Sequence, residues 1–175
     1  MGLHPDSIVN TVEIRETSIR VQTPAARSDT ERFLSRYERT EHQLMSYLYG
    51  RKYHERVIDD TLEWAERNGL VDDKRYASIY IRSHSDSSPM GNFRIRMELG
   101  KRGIPESIID GLLADRDESD LQKILVKTVR EKYGHLEKKA ALRRAMGYLR
   151  RRGFHYDLIG TVVDLALTDE AGQTD

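Results

Sequence analysis

Apolar residues along this chain recur every third and fourth position, the spacing of one helix face, and the recurrence stops at regular places. The clearest stretch runs from Gly91 to Leu113, GNFRIRMELGKRGIPESIIDGLL. Ile95 and Leu99 give a first helix its apolar stripe, with Arg94, Arg96, Lys101 and Arg102 around it. Gly103 can enter the left-handed region and close that helix. Pro105 suits a first helical turn, where its missing N–H would have had no partner. Glu106 then sets a negative charge at the positive end of the next helix dipole. Ile108, Ile109, Leu112 and Leu113 form the expected buried face of this second helix.

The same grammar occurs three times. Aligning on Leu99 places Leu48 and Leu149 at equivalent positions, about fifty residues to either side. Five positions past each leucine stands a large apolar residue, Tyr53, Ile104 or Phe154, and ten past stands an isoleucine, Ile58, Ile109 or Ile159. Leu62, Leu113 and Val163 continue the series, and basic pairs precede each stop at Arg51-Lys52, Lys101-Arg102 and Arg151-Arg152. A period of this length predicts an array of small helical units with neighbouring cores. The expected fold class is therefore all-α, an elongated tandem array of three three-helix repeats.

Taken in order, residues 1–27 precede the repeat. Val12 and Ile14, then Ile19 and Val21, alternate with polar residues, so this segment is expected as a flexible arm with at most a marginal pair of strands, followed by a linker at Pro24-Ala-Ala. Repeat 1 is expected over 28–71. Its first helix is capped within Ser28-Asp29-Thr30 and carries Phe33, Leu34 and Tyr37. Its second is capped by Thr40 and carries Leu44, Met45 and Leu48. Its third holds Val57, Ile58, Leu62 and Trp64 and stops at Asn68-Gly69. Repeat 2, over 72–116, opens with a fresh cap at Asp72-Asp73 and a helix bearing Tyr76, Ile79 and Tyr80, which breaks at Ser85–Pro89. Repeat 3, over 117–168, begins from an acidic connector with Leu121, Ile124, Leu125, Thr128 and Val129, and Gly134 ends that helix. A second helix takes in Leu136, Ala140, Ala141, Ala145, Met146 and Leu149, and a last one Leu158, Ile159, Val162, Val163 and Leu165. An acidic tail, 169–175, follows.

Composition adds exclusions. Among 175 residues, Lys plus Arg and Asp plus Glu each total 29, so net charge argues for no polyanionic partner and any such argument is local. The absence of cysteine excludes a disulfide framework, thiol catalysis and cysteine-ligated metal. No apolar run approaches a signal peptide or a membrane span, and a cytoplasmic protein without membrane contact is the expectation. Catalysis finds no support. His84 has Ser83 and Asp86 only as chain neighbours, His42 and His54 lack a ligand spacing, and Gly100-Lys101 lacks the rest of a phosphate loop. Neither cofactor nor metal is expected. Trp64 and the tyrosines, set among apolar residues at helical spacing, read as core.

The basic helix ends leave two readings open. Arg51-Lys52, Lys101-Arg102 and Arg150-Arg151-Arg152, with Arg143 and Arg144 shortly before the last, could present a stripe to phosphates or to an acidic protein surface. Alternatively they complement helix dipoles, an effect of about 0.3–1 kcal/mol each.

Gly69-Leu70-Val71-Asp72-Asp73-Lys74-Arg75-Tyr76-Ala77 with Tyr80-Ile81-Arg82 forms one block; Gly91, Arg94-Ile95, Glu98-Leu99 and Lys101-Arg102-Gly103-Ile104 form a second; Tyr148–Phe154 and Ile159 form a third. In this order and spacing they resemble the RecX family of recombination regulators, over roughly residues 30–167. The resemblance implies a string of three-helix repeats, without catalysis, that binds the RecA filament and inhibits or modulates it in homologous recombination, DNA repair and the SOS response. It implies contact with single-stranded DNA, directly or through RecA, by a monomer. It also favours the binding reading for Arg51, Lys52, Arg94, Arg96, Lys101, Arg102, Arg143, Arg144, Arg150, Arg151 and Arg152. The alternative is a stand-alone DNA-binding regulator of helix-turn-helix character, since trihelical units can place a helix in a groove. Two departures stand out: Lys52 occupies a place where the family tends to carry glycine, and residues 1–27 have no counterpart in the common repeat.

Overall fold

The computed structural model describes residues 5–84, 89–116 and 118–168. Among them are nine helices and no strand: α1 Pro5–Leu34, α2 Glu41–Gly50, α3 Glu55–Arg67, α4 Asp73–Ser83, α5 Asn92–Gly100, α6 Glu106–Ala114, α7 Glu118–Tyr133, α8 Lys138–Arg151 and α9 Tyr156–Leu167. The chain divides into two compact units, 1–76 and 77–175, with the division inside α4. The expected all-α helical repeat is the observed fold class.

The period has a physical origin in the helix stops. Lys52, Gly103 and Gly153 take φ of 61°, 80° and 81°. At each site the next residue's N–H returns to the leucine five before it: Tyr53 to Leu48, Ile104 to Leu99 and Phe154 to Leu149, at 3.4, 3.2 and 3.3 Å. The left-handed residue itself donates to the carbonyl three before it, at 2.9 Å in all three. This is the Schellman stop, and its usual apolar contact joins the two landmark positions of the repeat. Lys52 thus adopts the glycine geometry despite its side chain. Gly69 makes a fourth such stop after α3, with Leu70 donating to Ala65 at 2.9 Å.

In the first unit α1, α2 and α3 enclose Ala26, Leu44, Leu48, Val57, Ile58, Ala65 and Val71. Thr40 caps α2 in a reciprocal box with Gln43, as the sequence indicates. The amino-terminal expectation is corrected. Residues 5–27 of the segment read as an arm with marginal strands belong to α1, Pro24 lies inside that helix, and the 27/28 boundary falls within its last third. A proline there removes one helical hydrogen bond, but Ala26 and Thr30 are fully buried on the same face and Ile19 and Phe33 pack beside them. Ser28-Asp29-Thr30 is therefore helix interior, with the Thr30 hydroxyl donating to the Ala26 carbonyl at 2.8 Å. Tyr37 lies beyond the end of α1 and is exposed.

At the end of the first unit Asp72 caps the start of α4 by accepting the Arg75 N–H at 2.8 Å, and in the second unit α5 and α6 bury Ile95, Leu99, Ile109 and Leu113. The expected break at 85–88 and the tail at 169–175 lie outside the described residues. Repeat 3 packs α7, α8 and α9 around Leu125, Val129, Ala145, Leu149, Ile159 and Val162. Leu136 precedes α8 rather than belonging to it, and Ile79, Met146 and Leu165 are exposed rather than core. Repeats 2 and 3 meet backbone to backbone. The Gly91 N–H donates to the Arg152 carbonyl at 2.8 Å, and a Cβ on Gly91 would stand 2.1 Å from the Gly153 oxygen. Arg116 secures the same entry to α5, reaching the Met90 carbonyl and Asn92 Oδ1 at 2.7 Å each.

Candidate functional site

The eleven basic residues singled out in the sequence do different work in the folded chain. Arg51 ion-pairs with Asp29 at 2.7 Å, and the same buried carboxylate accepts the Tyr53 hydroxyl at 2.7 Å. The Tyr53 hydrogen bond first, then Arg51, holds the Asp29 carboxyl below its ordinary range against the opposing effect of burial. This side-chain knot joins α1 to the end of α2, so Arg51 has an internal partner. Lys52 is exposed at the left-handed position.

In the second unit Arg94 donates to the Arg151 carbonyl at 2.8 Å, adding to the joint between repeats 2 and 3. Arg96 bonds Asp110 and approaches Glu106 at 3.8 Å, linking α5 to α6. Glu98 takes Arg102 at 3.1 Å and Lys101 at 3.7 Å, and Arg102 also lies over the Tyr80 ring at 4.9 Å. The Arg102 hydrogen bond is the main reason the Glu98 carboxyl sits below its ordinary value. Arg152 is half-buried over Tyr148 at 5.4 Å.

The third cluster differs. Helix α8 reads KKAALRRAMGYLRR, with six cationic side chains and no carboxylate. Ala141, Ala145 and Leu149 face the core; Lys138, Lys139, Arg143, Arg144, Arg150 and Arg151 are exposed. Among the described residues none of these six side chains ion-pairs with a carboxylate. The clusters of repeats 1 and 2 thus engage most of their cations internally, whereas α8 presents these six outward.

Beside those cations lie apolar side chains that the sequence reading placed in the core or passed over. Leu142 and Met146 are 42% and 41% exposed, and Tyr156 and Phe93 are 66% exposed each. Met146, Gly147, Tyr156 and Ile159 line a shallow hollow rimmed by Arg143 and Arg150. A second hollow, with Phe93 and Tyr156 at its edge, adjoins it across Arg150. The legible clue was phase: Leu142 and Met146 each follow a core alanine by one residue, about 100° round the helix, and so sit at the border of its buried face.

Two histidines have local roles. His54 caps α3 by accepting the Arg56 N–H at 3.2 Å, and His84 packs on Tyr80 with ring centroids 4.3 Å apart. Among the described residues no group of three or more His, Asp or Glu side chains converges as a metal site would, and no helix is long and apolar enough to cross a membrane.

Comparison with known proteins gives this arrangement its relatives. The family profile described as RecX, second three-helix domain, matches residues 72–113. A regulatory protein RecX of Halorhodospira halophila is 31% identical over 150 residues, covering 83% of this chain and 91% of that protein. The chain belongs to the RecX family. A RecX of Chlorobium phaeobacteroides is 39% identical over 88 residues, half of this chain and 58% of that protein. The crystal structure of RecX from Lactobacillus salivarius superposes with a TM-score of 0.75 at 23% identity, covering 82% of this chain and 96% of that one, which speaks for the fold alone. The Halorhodospira and Chlorobium relatives are both described as regulatory proteins. The matched profile spans Asp72 through Leu113, so the Asp72 cap, the Glu98–Arg102 pair and the Gly103 stop all fall within the second RecX domain.

Proposed function

We propose that this RecX-family chain binds the RecA filament assembled on single-stranded DNA, restrains its activity in recombination and repair, and performs no chemistry of its own. The observation that carries the reading is the outward cationic face of α8, which has no carboxylate of its own and so is free to meet an acidic protein surface or a phosphate backbone. Three linked helical units offer several modest contacts, and linkage raises the effective concentration for the second and third once the first is made. Such a binder prefers a filament, which presents adjacent sites, over free RecA. Lying along the filament groove, it would obstruct a second DNA strand.

The test is DNA-stimulated ATP hydrolysis by RecA, titrated with the full chain, beside a pull-down on RecA with and without nucleotide and single-stranded DNA. The expected result is inhibition together with retention that depends on filament assembly. No effect on hydrolysis and no retention would overturn the reading. Tight, salt-sensitive binding to a defined duplex in the absence of RecA would replace it with the helix-turn-helix alternative.

A further inference from the structure

The hollow over Gly147 has a shape and a charge pattern that the cationic face alone does not explain. Its floor is Gly147 on α8 and the buried Ile159 on α9, its walls are Met146 and Tyr156, and its rim is Arg143 and Arg150. The two arginines stand two turns apart on one helix, roughly 10 Å along its axis at 1.5 Å per residue. Leu142 extends the apolar strip by one further turn. We infer that this hollow is a docking site for one apolar side chain of a partner protein segment whose flanking residues are aspartate or glutamate. The inference rests on the reading above that the chain works through a protein partner.

Three observations choose this occupant. The strip along α8 is aliphatic, and Leu142 and Met146 offer no face on which a base could stack, which leaves Tyr156 as the one aromatic side chain lining the hollow. Methionine and arginine are both enriched at protein interfaces, methionine because its unbranched thioether adapts to the shape it meets. The cations of α8 are unmatched within the helix, so a segment bearing carboxylates on either side of its apolar anchor complements the surface in sign as well as in shape.

Position 147 adds no side chain to the lining of the hollow. A Cβ added there would meet only the end of the Arg151 side chain, Nη1 at 3.3 Å, which can move aside. Gly147→Leu therefore adds an apolar side chain to the hollow's lining from a Cβ position that meets no backbone, and in mid-helix it favours the fold. This variant separates loss of the surface from loss of the structure.

The experiment uses the full chain and two probes: an acidic amphipathic peptide of about 15 residues with leucines at helical spacing among glutamates, and a deoxythymidine oligomer of similar length. Methyl NMR of Met146 locates each probe, and titration gives its affinity. The peptide should shift the Met146 methyl and should weaken by about tenfold or more, about 1.4 kcal/mol or above, with Gly147→Leu and with Arg143→Gln plus Arg150→Gln. Replacing the peptide leucines with glutamine should have a similar effect. An oligonucleotide that shifts Met146, competes with the peptide and is itself expelled by Gly147→Leu would make this a nucleic-acid site and overturn the inference. Peptide binding that ignores Gly147→Leu would overturn it as well. The RecA reading fails separately: if the wild-type chain leaves RecA hydrolysis unchanged while the peptide behaves as expected, that reading falls and the docking site stands. If the wild type inhibits and Gly147→Leu inhibits equally, the docking site falls and that reading stands.

Discussion

Lys52 is the residue where local preference and repeat geometry disagree. A non-glycine residue in the left-handed region carries a strain of about 1–2 kcal/mol, yet Lys52 holds φ of 61° and makes the same pair of hydrogen bonds as Gly103 and Gly153. The stop is imposed by its neighbours, because Tyr53 must fold back on Leu48 for α3 to reach the core. Lys52→Gly should accordingly stabilise the chain by up to about 1 kcal/mol, read as a higher midpoint in urea at unchanged slope. Gly153→Ala should do the opposite and by more, since its Cβ would stand 2.5 Å from that of Arg94 as well as being strained. An unchanged midpoint for Lys52→Gly would mean that some contact of the lysine stem offsets the backbone strain.

At the scale of elements, the stops were legible and the first helix was not. Gly103, Gly153 and the leucines before them announce both the turn and the contact that accompanies it, so α2, α3, α5, α6 and α9 fall where the pattern places them, as does the end of α8, which begins two residues past Leu136. Helix α1 hides because its buried face is partly polar: Asp29 and Thr30 are both buried, and neither looks like a core residue in sequence. Pro24 adds a false break. The Asp29 knot also has a pH signature. Its folded carboxyl lies below the ordinary value, so its contribution to stability is fully present above the ordinary aspartate range near pH 4 and is lost as pH falls through the lower folded value. Asp29→Asn should lower the melting temperature at neutral pH and flatten the acid limb of the stability profile. Thermal melts from pH 7 to pH 2 check this, and parallel acid limbs for the two proteins would assign the acid sensitivity elsewhere.

Across the whole molecule, three basic clusters that look equivalent in sequence divide into internal and outward-facing sets. Glu98, three and four residues before Lys101 and Arg102, announces its pairing with both, but nothing in the run from Arg143 to Arg151 says that no carboxylate from elsewhere in the fold will reach it. Period shows which residues share a face; the fold decides whether that face is covered or neutralised. Replacing Arg143, Arg144, Arg150 and Arg151 with glutamine should change stability by no more than about 0.5 kcal/mol, while weakening the interaction with RecA nucleoprotein and reducing its salt dependence. Arg102→Gln should reverse the pattern, costing about 0.5–1 kcal/mol and leaving the salt dependence nearly intact. Chemical unfolding paired with binding at two salt concentrations distinguishes the two sets, and equal behaviour of the variants would remove the division.

The joint between repeats 2 and 3 also carries a clock. The first amides of a helix have no acceptor within it and ordinarily trade their protons with solvent early. The Gly91 amide, at the very start of α5, is buried and donates to the Arg152 carbonyl at the far end of α8. Its proton can leave only when the two repeats part, whether or not α5 stays helical. Hydrogen exchange at this one position should therefore run as slowly as at Ile95 in the middle of the helix and far more slowly than at the neighbouring Phe93. Its rate measures how often the array opens at that seam, a motion invisible to any probe of helix content. Exchange at Gly91 as fast as at Phe93 would show the seam standing open in solution.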